Sequence, residues 1–150
     1  MNPKKEFNLS YLFRADDNYR IGNSVGFELD SEEAIAAEIQ NPWVHVLNKE
    51  SIQTSRYISF STAIVIKGGG GSQKFTKKNK IFKVSWEALQ QLETDGKIRI
   101  YTPEDVAEII SQSSKKKIRK KANDVKAAME KNGEILIEGQ IPGKVIVWAK

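Results

Sequence analysis

The sequence predicts an α+β domain built on an antiparallel or mixed sheet, and three observations carry that expectation. Six or seven short stretches have the alternation or β-branched content of strands, and three or four have helical character. The two kinds do not alternate regularly, as they would in a doubly wound fold. A chain of 150 residues is enough for one core, so a single domain is expected.

Residues 11–14 are short and aromatic and run into the polar stretch Ala15-Asp16-Asp17-Asn18, which reads as a strand ending in a loop, with Arg14 at the strand end. Asp30 and Glu33 resemble a capping box, and Ala34, Ile35, Ala36, Ala37 and Ile39 continue a helix until Asn41-Pro42 stops it. Residues 57–62 and 63–66 read as extended, and 81–84 as a further strand. Ser85 caps a helix through Leu92, Thr94-Asp95-Gly96 is a turn, and residues 98–101 alternate as a half-buried strand does. Thr102, Pro103, Glu104 and Asp105 supply a cap, a first-position proline and first-turn acids to a helix ending near Ser111.

Across residues 114–131, Ile118, Ala122, Val125 and Met129 form one thin apolar stripe on a single, very basic helix that Asn132-Gly133 ends. Residues 134–137 are a strand, 139–143 a turn and 145–148 a last strand.

Composition removes much chemistry. Cysteine is absent, which excludes disulfides, thiolate metal sites and cysteine nucleophiles. His45 is the single histidine, so no His-Glu-x-x-His site exists and a Ser-His-Asp triad would depend on it alone. Set between Trp43 and Val46 on an apolar segment, it reads as a packed residue. Apolar runs such as residues 63–66 are far too short to cross a bilayer, and no apolar stretch of signal-peptide length follows Met1.

The net charge of +5 is local. Six lysines and no acid lie between Lys67 and Lys83, and six of the seven residues from Lys115 to Lys121 are basic. Each block reads either as a solvated face or as a surface for a phosphate-bearing partner. Residues 68–72, four glycines and Ser72, form a flexible connector with the composition of an engineered linker. The tract lacks the Gly-Lys-Ser ending and the strand-to-helix setting of a P-loop.

A constellation spread along the chain remains. Tyr11-Leu12-Phe13-Arg14-Ala15-Asp16 resembles the opening strand of ADP-ribosyltransferase toxins of the cholera and heat-labile enterotoxin type. Tyr57-Ile58-Ser59-Phe60-Ser61 is similar to their Tyr-Val-Ser-Thr-Ser strand, with an aromatic at the central position. The stretch from Glu134 to Pro142 is similar to their catalytic Glu, apolar strand and Gly-Gly-Ile-Pro turn, and the strand ending at Trp148 sits where theirs ends near Gly-Trp.

The resemblance implies an ADP-ribosyltransferase-like core and NAD as co-substrate, with no metal. It implies catalytic roles for Arg14, Ser59 and Glu134. Arg14 and Ala15 would meet the dinucleotide, with Arg14 offering a planar fork to phosphate and ribose oxygens. Ser59 would orient Arg14 and brace the nicotinamide end, and Ser61 and Thr62 would hold the strand and bond Glu134. Phe75 could stack on nicotinamide from a lid. Glu134 would grip the ribose 2′-hydroxyl and stabilise the oxocarbenium-like transition state through its charge.

Asn132 occupies the position where those enzymes carry a Glu or Gln that helps choose the acceptor. A short amide cannot serve as base toward an arginine, which argues against arginine modification. The expected activity is transfer of ADP-ribose to a macromolecule, protein or nucleic acid. The expected setting is a bacterial toxin effector opposed by a cognate immunity protein, acting without a membrane in the cytoplasm of the producing or target cell, or delivered within a larger secreted effector. The rivals are an NAD glycohydrolase, a transferase-like protein without turnover, and a non-enzymatic basic module binding nucleic acid. In the basic helix no aromatic residue is present to stack on bases.

Overall fold

A computed structural model describes residues 9–37, 39–47, 55–63 and 80–149. The tract 68–72, Phe75 and most of the 63–66 stretch lie outside the described residues. Six strands form one sheet: β1 (Tyr11–Ala15), β2 (Tyr57–Ser61), β3 (Ile81–Ser85), β4 (Ile98–Tyr101), β5 (Glu134–Gly139) and β6 (Ile146–Trp148). Their order is β4-β5-β2-β1-β3-β6, and every neighbouring pair is antiparallel. The helices are α1 (Glu32–Ala36), α2 (Pro42–Leu47), α3 (Trp86–Thr94), α4 (Pro103–Ser111), α5 (Lys116–Arg119) and α6 (Ala122–Asn132), with a 3₁₀ turn at Gly143–Val145.

β5 lies inside the sheet and is buried along its whole length. On one face Ile135 and Ile137 join Leu12, Phe60, Phe82, Ile98, Ile100 and, from α3, Trp86 and Leu89. On the other Leu136 packs with Val46 of α2, Val106 and Ile110 of α4, and Val125 and Met129 of α6. Helices therefore cover both faces of β5, and alternation places Glu134 and Glu138 on the Leu136 face, where a carboxylate needs a partner.

Local chemistry sets most boundaries. The Ser85 hydroxyl accepts from the Ala88 N–H to start α3, and Thr102 with Asp105 forms a complete capping box behind Pro103. Three expectations shift. The cap of α1 is Ser31 and not Asp30, whose φ is 62°, and the helix stops at Ala36. Pro42 opens a helix of its own, as a proline at the first position can. The long basic helix is two helices, broken at Lys120 and Lys121, and neither has a side-chain cap. Repulsion between cations three and four residues apart, together with missing caps, opposes continuous helix there, while the apolar stripe survives as the half-buried Ile118 and Ala122 and the buried Val125 and Met129. Gly133 ends α6 in the left-handed region at φ 61° and turns the chain into β5.

Candidate active site

β1 pairs with β3 along its whole length but meets β2 at a single register point, Phe13 opposite Ser61. Where β1 leaves β2, Arg14 Nη1 donates to the Ser59 carbonyl at 2.8 Å. Ser59 Oγ in turn donates to Glu134 Oε2 at 2.5 Å. Ser59 sits opposite Leu136, and Ser61 opposite Glu134. The bond to Glu134 is thus a cross-strand diagonal, which a long carboxylate side chain can span.

Ser59 joins Arg14 by its main chain and Glu134 by its side chain, linking segments 45 and 75 residues away. The resemblance implied a bond from Ser61 and Thr62 to Glu134. Instead Ser61 is the register partner of Glu134, and the Thr62 N–H donates to the Gly133 carbonyl at 2.9 Å, fastening the end of β2 to the turn before Glu134.

Glu134 is 4% exposed, and its Oε1 is buried without a hydrogen-bond partner among the described residues. A buried carboxylate oxygen left open in this way is costly unless something else fills the role. Burial lowers the Arg14 pKa from its ordinary value, and the charge of Asp16 opposes that shift. A guanidinium stays protonated through such a shift, and its poorer solvation strengthens its pull on an anion.

Ala15 ends β1 opposite Ile81, and Asn132 is the last residue of α6, half-buried two positions before Glu134. His45 is packed, at 2% exposure, with Nδ1 2.7 Å from Ser55 Oγ and its ring nearly perpendicular to that of Tyr57. Among the described residues no three His, Asp or Glu side chains converge as a metal site.

Sequence reasoning missed the other buried carboxylate of β5. Glu138 accepts from Arg56 at 3.2 Å, from Arg99 at 3.2 Å and from the Tyr101 hydroxyl at 2.8 Å. Burial, followed by the charge of Glu138, pushes the Tyr57 phenol up to about 12. Burial, with the hydrogen bond and charge of Glu138, also raises Tyr101. The available signal was a second Glu on an otherwise apolar strand. Its partners come from before β2 and from β4, and no local spacing reveals them.

Two surface clefts lie elsewhere. One of about 350 Å³ runs between Arg99 and Tyr101 on one side and Asp105 and Glu108 on the other, and one of about 520 Å³ lies beside Glu28, Lys97 and Gln140. Arg14, Ser59 and Glu134 line neither. No helix among the described residues is long and apolar enough to cross a membrane. No protein-family model, no curated protein and no solved structure matches the chain.

Proposed function

We propose that the chain is a mono-ADP-ribosyltransferase domain with an ADP-ribosyltransferase-like core, which breaks the N-glycosidic bond of NAD and passes ADP-ribose to a macromolecular acceptor. Its resemblance to toxins extends the proposal to a bacterial effector held in check by an immunity protein. One observation carries the reading: Glu134 is buried, held through one oxygen by Ser59, and without a hydrogen-bond partner at the other among the described residues.

An open carboxylate oxygen suits a ribose 2′-hydroxyl, and its negative charge suits a ribose carbon that turns cationic as nicotinamide leaves. Arg14 spends one N–H on Ser59, which leaves guanidinium donors for diphosphate oxygens. As the C1′–N bond breaks, the electron pair departs with neutral nicotinamide. The acceptor nucleophile then bonds to the same carbon and gives its proton to solvent. Asn132 favours a second reading, an NAD glycohydrolase with water as nucleophile, because its amide is no base for activating an arginine.

Incubation with NAD labelled in the adenosine half, with and without lysate, tests both readings. Transferase activity leaves label on a macromolecule with wild type and not with Glu134→Gln. Rapid free ADP-ribose without any acceptor supports the hydrolase, and absence of nicotinamide release with both proteins overturns the enzymatic proposal.

A further inference from the structure

We infer that the surface formed by α5 and the start of α6 binds the phosphate backbone of nucleic acid, and that nucleic acid is the acceptor; the second clause rests on the transferase reading above. Residues 114–131 hold eight basic and two acidic side chains, whereas the other 132 residues hold 16 and 17. The entire positive excess of the chain therefore sits on this helix pair.

Lys115, Lys116, Lys117, Arg119, Lys120 and Lys121 are all exposed. Among the described residues none of the six meets a carboxylate. Arg119 donates to the Ser113 carbonyl at 2.7 Å, and the nearby ion pairs, both 3.9 Å, belong to Lys126 with Glu104 and Glu130. Lys115 and Lys121 stand at the N-cap positions of α5 and α6, and neither helix has a side-chain cap. Like charges set three and four residues apart repel, and a polyanion bound across them turns that repulsion into attraction.

The fold adds what the basic segment lacks. Trp43 of α2 lies beside it, half-buried, with the Lys121 ammonium 5.6 Å from its ring centre. An aromatic face next to a row of cations is the combination that holds single strands, with phosphates on the cations and a base against the ring. Stacking of a base on the indole is the contact that nucleic acid adds to charge attraction. Five of the six cations are lysines, which act as point charges toward phosphate. Helix α6, with eleven residues, is about 16 Å long and leads through Gly133 into Glu134.

The test uses fluorescence anisotropy of the full chain with a labelled single-stranded RNA of about 20 nucleotides, titrated from about 50 to about 200 mM salt. Six phosphate contacts give a slope of log K against log salt of about −4, and Lys116→Gln/Lys117→Gln/Lys120→Gln reduces it by about 2. These residues are exposed, and far-ultraviolet circular dichroism checks that the variant folds. Glu134→Gln binds as wild type does. Binding that the triple variant leaves unchanged, a slope near zero, or stronger binding of a poly-glutamate peptide than of RNA overturns the surface.

With labelled NAD, the label enters a nuclease-sensitive product, and its yield per nicotinamide released falls at least about tenfold in the triple variant, as the loss of three phosphate contacts predicts. Protease-sensitive label overturns the acceptor assignment and leaves the transferase reading intact. Retained RNA binding without nicotinamide release overturns the transferase reading and leaves the surface standing.

Discussion

Glu134 and Glu138 stand on one face of β5, four residues and about 13 Å apart, and each is 4% exposed. At the Glu138 end two guanidinium groups and a phenol occupy both oxygens. At the Glu134 end a single serine hydroxyl holds one oxygen, and the other has no partner among the described residues. Burial alone thus says little about the purpose of a carboxylate. A neutralised carboxylate works within the fold, whereas one with an unpaired oxygen is where the proposed chemistry has to be tested.

The largest effect expected is on chemistry at the open end. Glu134→Gln preserves the shape and the Ser59 bond while removing the charge, so on the proposed transferase reading nicotinamide release falls about 10²- to 10³-fold, the loss typical of one preorganised electrostatic group. Removing a poorly compensated buried charge leaves the melting temperature unchanged or raises it. A variant that loses several degrees instead would place Glu134 in the same class as Glu138.

Glu138 inverts both outcomes. Glu138→Leu strands Arg56, whose side chain is 19% exposed, and removes the acceptor of Tyr101, at a cost of about 3 kcal/mol. Arg99, 55% exposed, adds little because water takes over its solvation. For a chain of this size the melting temperature falls by about 10 °C, measured by calorimetry. Activity of the remaining folded protein at lower temperature stays near wild type. Ser59→Ala comes next: it frees the second Glu134 oxygen and lowers both stability, by about 1 kcal/mol, and turnover, by about tenfold.

How far the sequence discloses this contrast depends on the range of the forces involved. Ser85 and the Thr102-Pro103 pair start helices through bonds three residues long, and they are legible from residue identity alone. The break at Lys120 and Lys121 was missed because apolar spacing ignores charge repulsion, and the α1 cap moved because Asp30 and Ser31 compete within one residue. The sheet and its alternation are legible in the strand patterns. Strand order is not, and it is strand order that brings Arg14, Ser59 and Glu134 into one bonded series. The same holds for Arg56 and Arg99 on Glu138, and for Lys121 above Trp43: each depends on register between distant segments, which no local pattern encodes.

The smallest effect separates the two ends by pH. Tyr57, with a folded pKa of about 12, and Tyr101, also raised, prefer the neutral phenol in the folded chain, whereas an unfolded tyrosine ionises near 10. Below about pH 10 the contribution of both rings to stability is fully present. Above it the unfolded chain releases protons that the folded chain retains, so stability falls as pH climbs from about 10 toward 12. Tyr19, raised by burial, adds to the slope, so wild type alone does not isolate the Glu138 network. Tyr101→Phe does: urea melts between about pH 9 and pH 11 show a shallower loss in the variant than in wild type, and Glu134→Gln, with no phenol bonded to its carboxylate, follows the wild-type slope. Equal slopes for wild type and Tyr101→Phe would mean that Glu138 is satisfied by the arginines alone. The contrast between the two ends of β5 would then rest on ion pairing and not on a phenol held neutral against a buried charge.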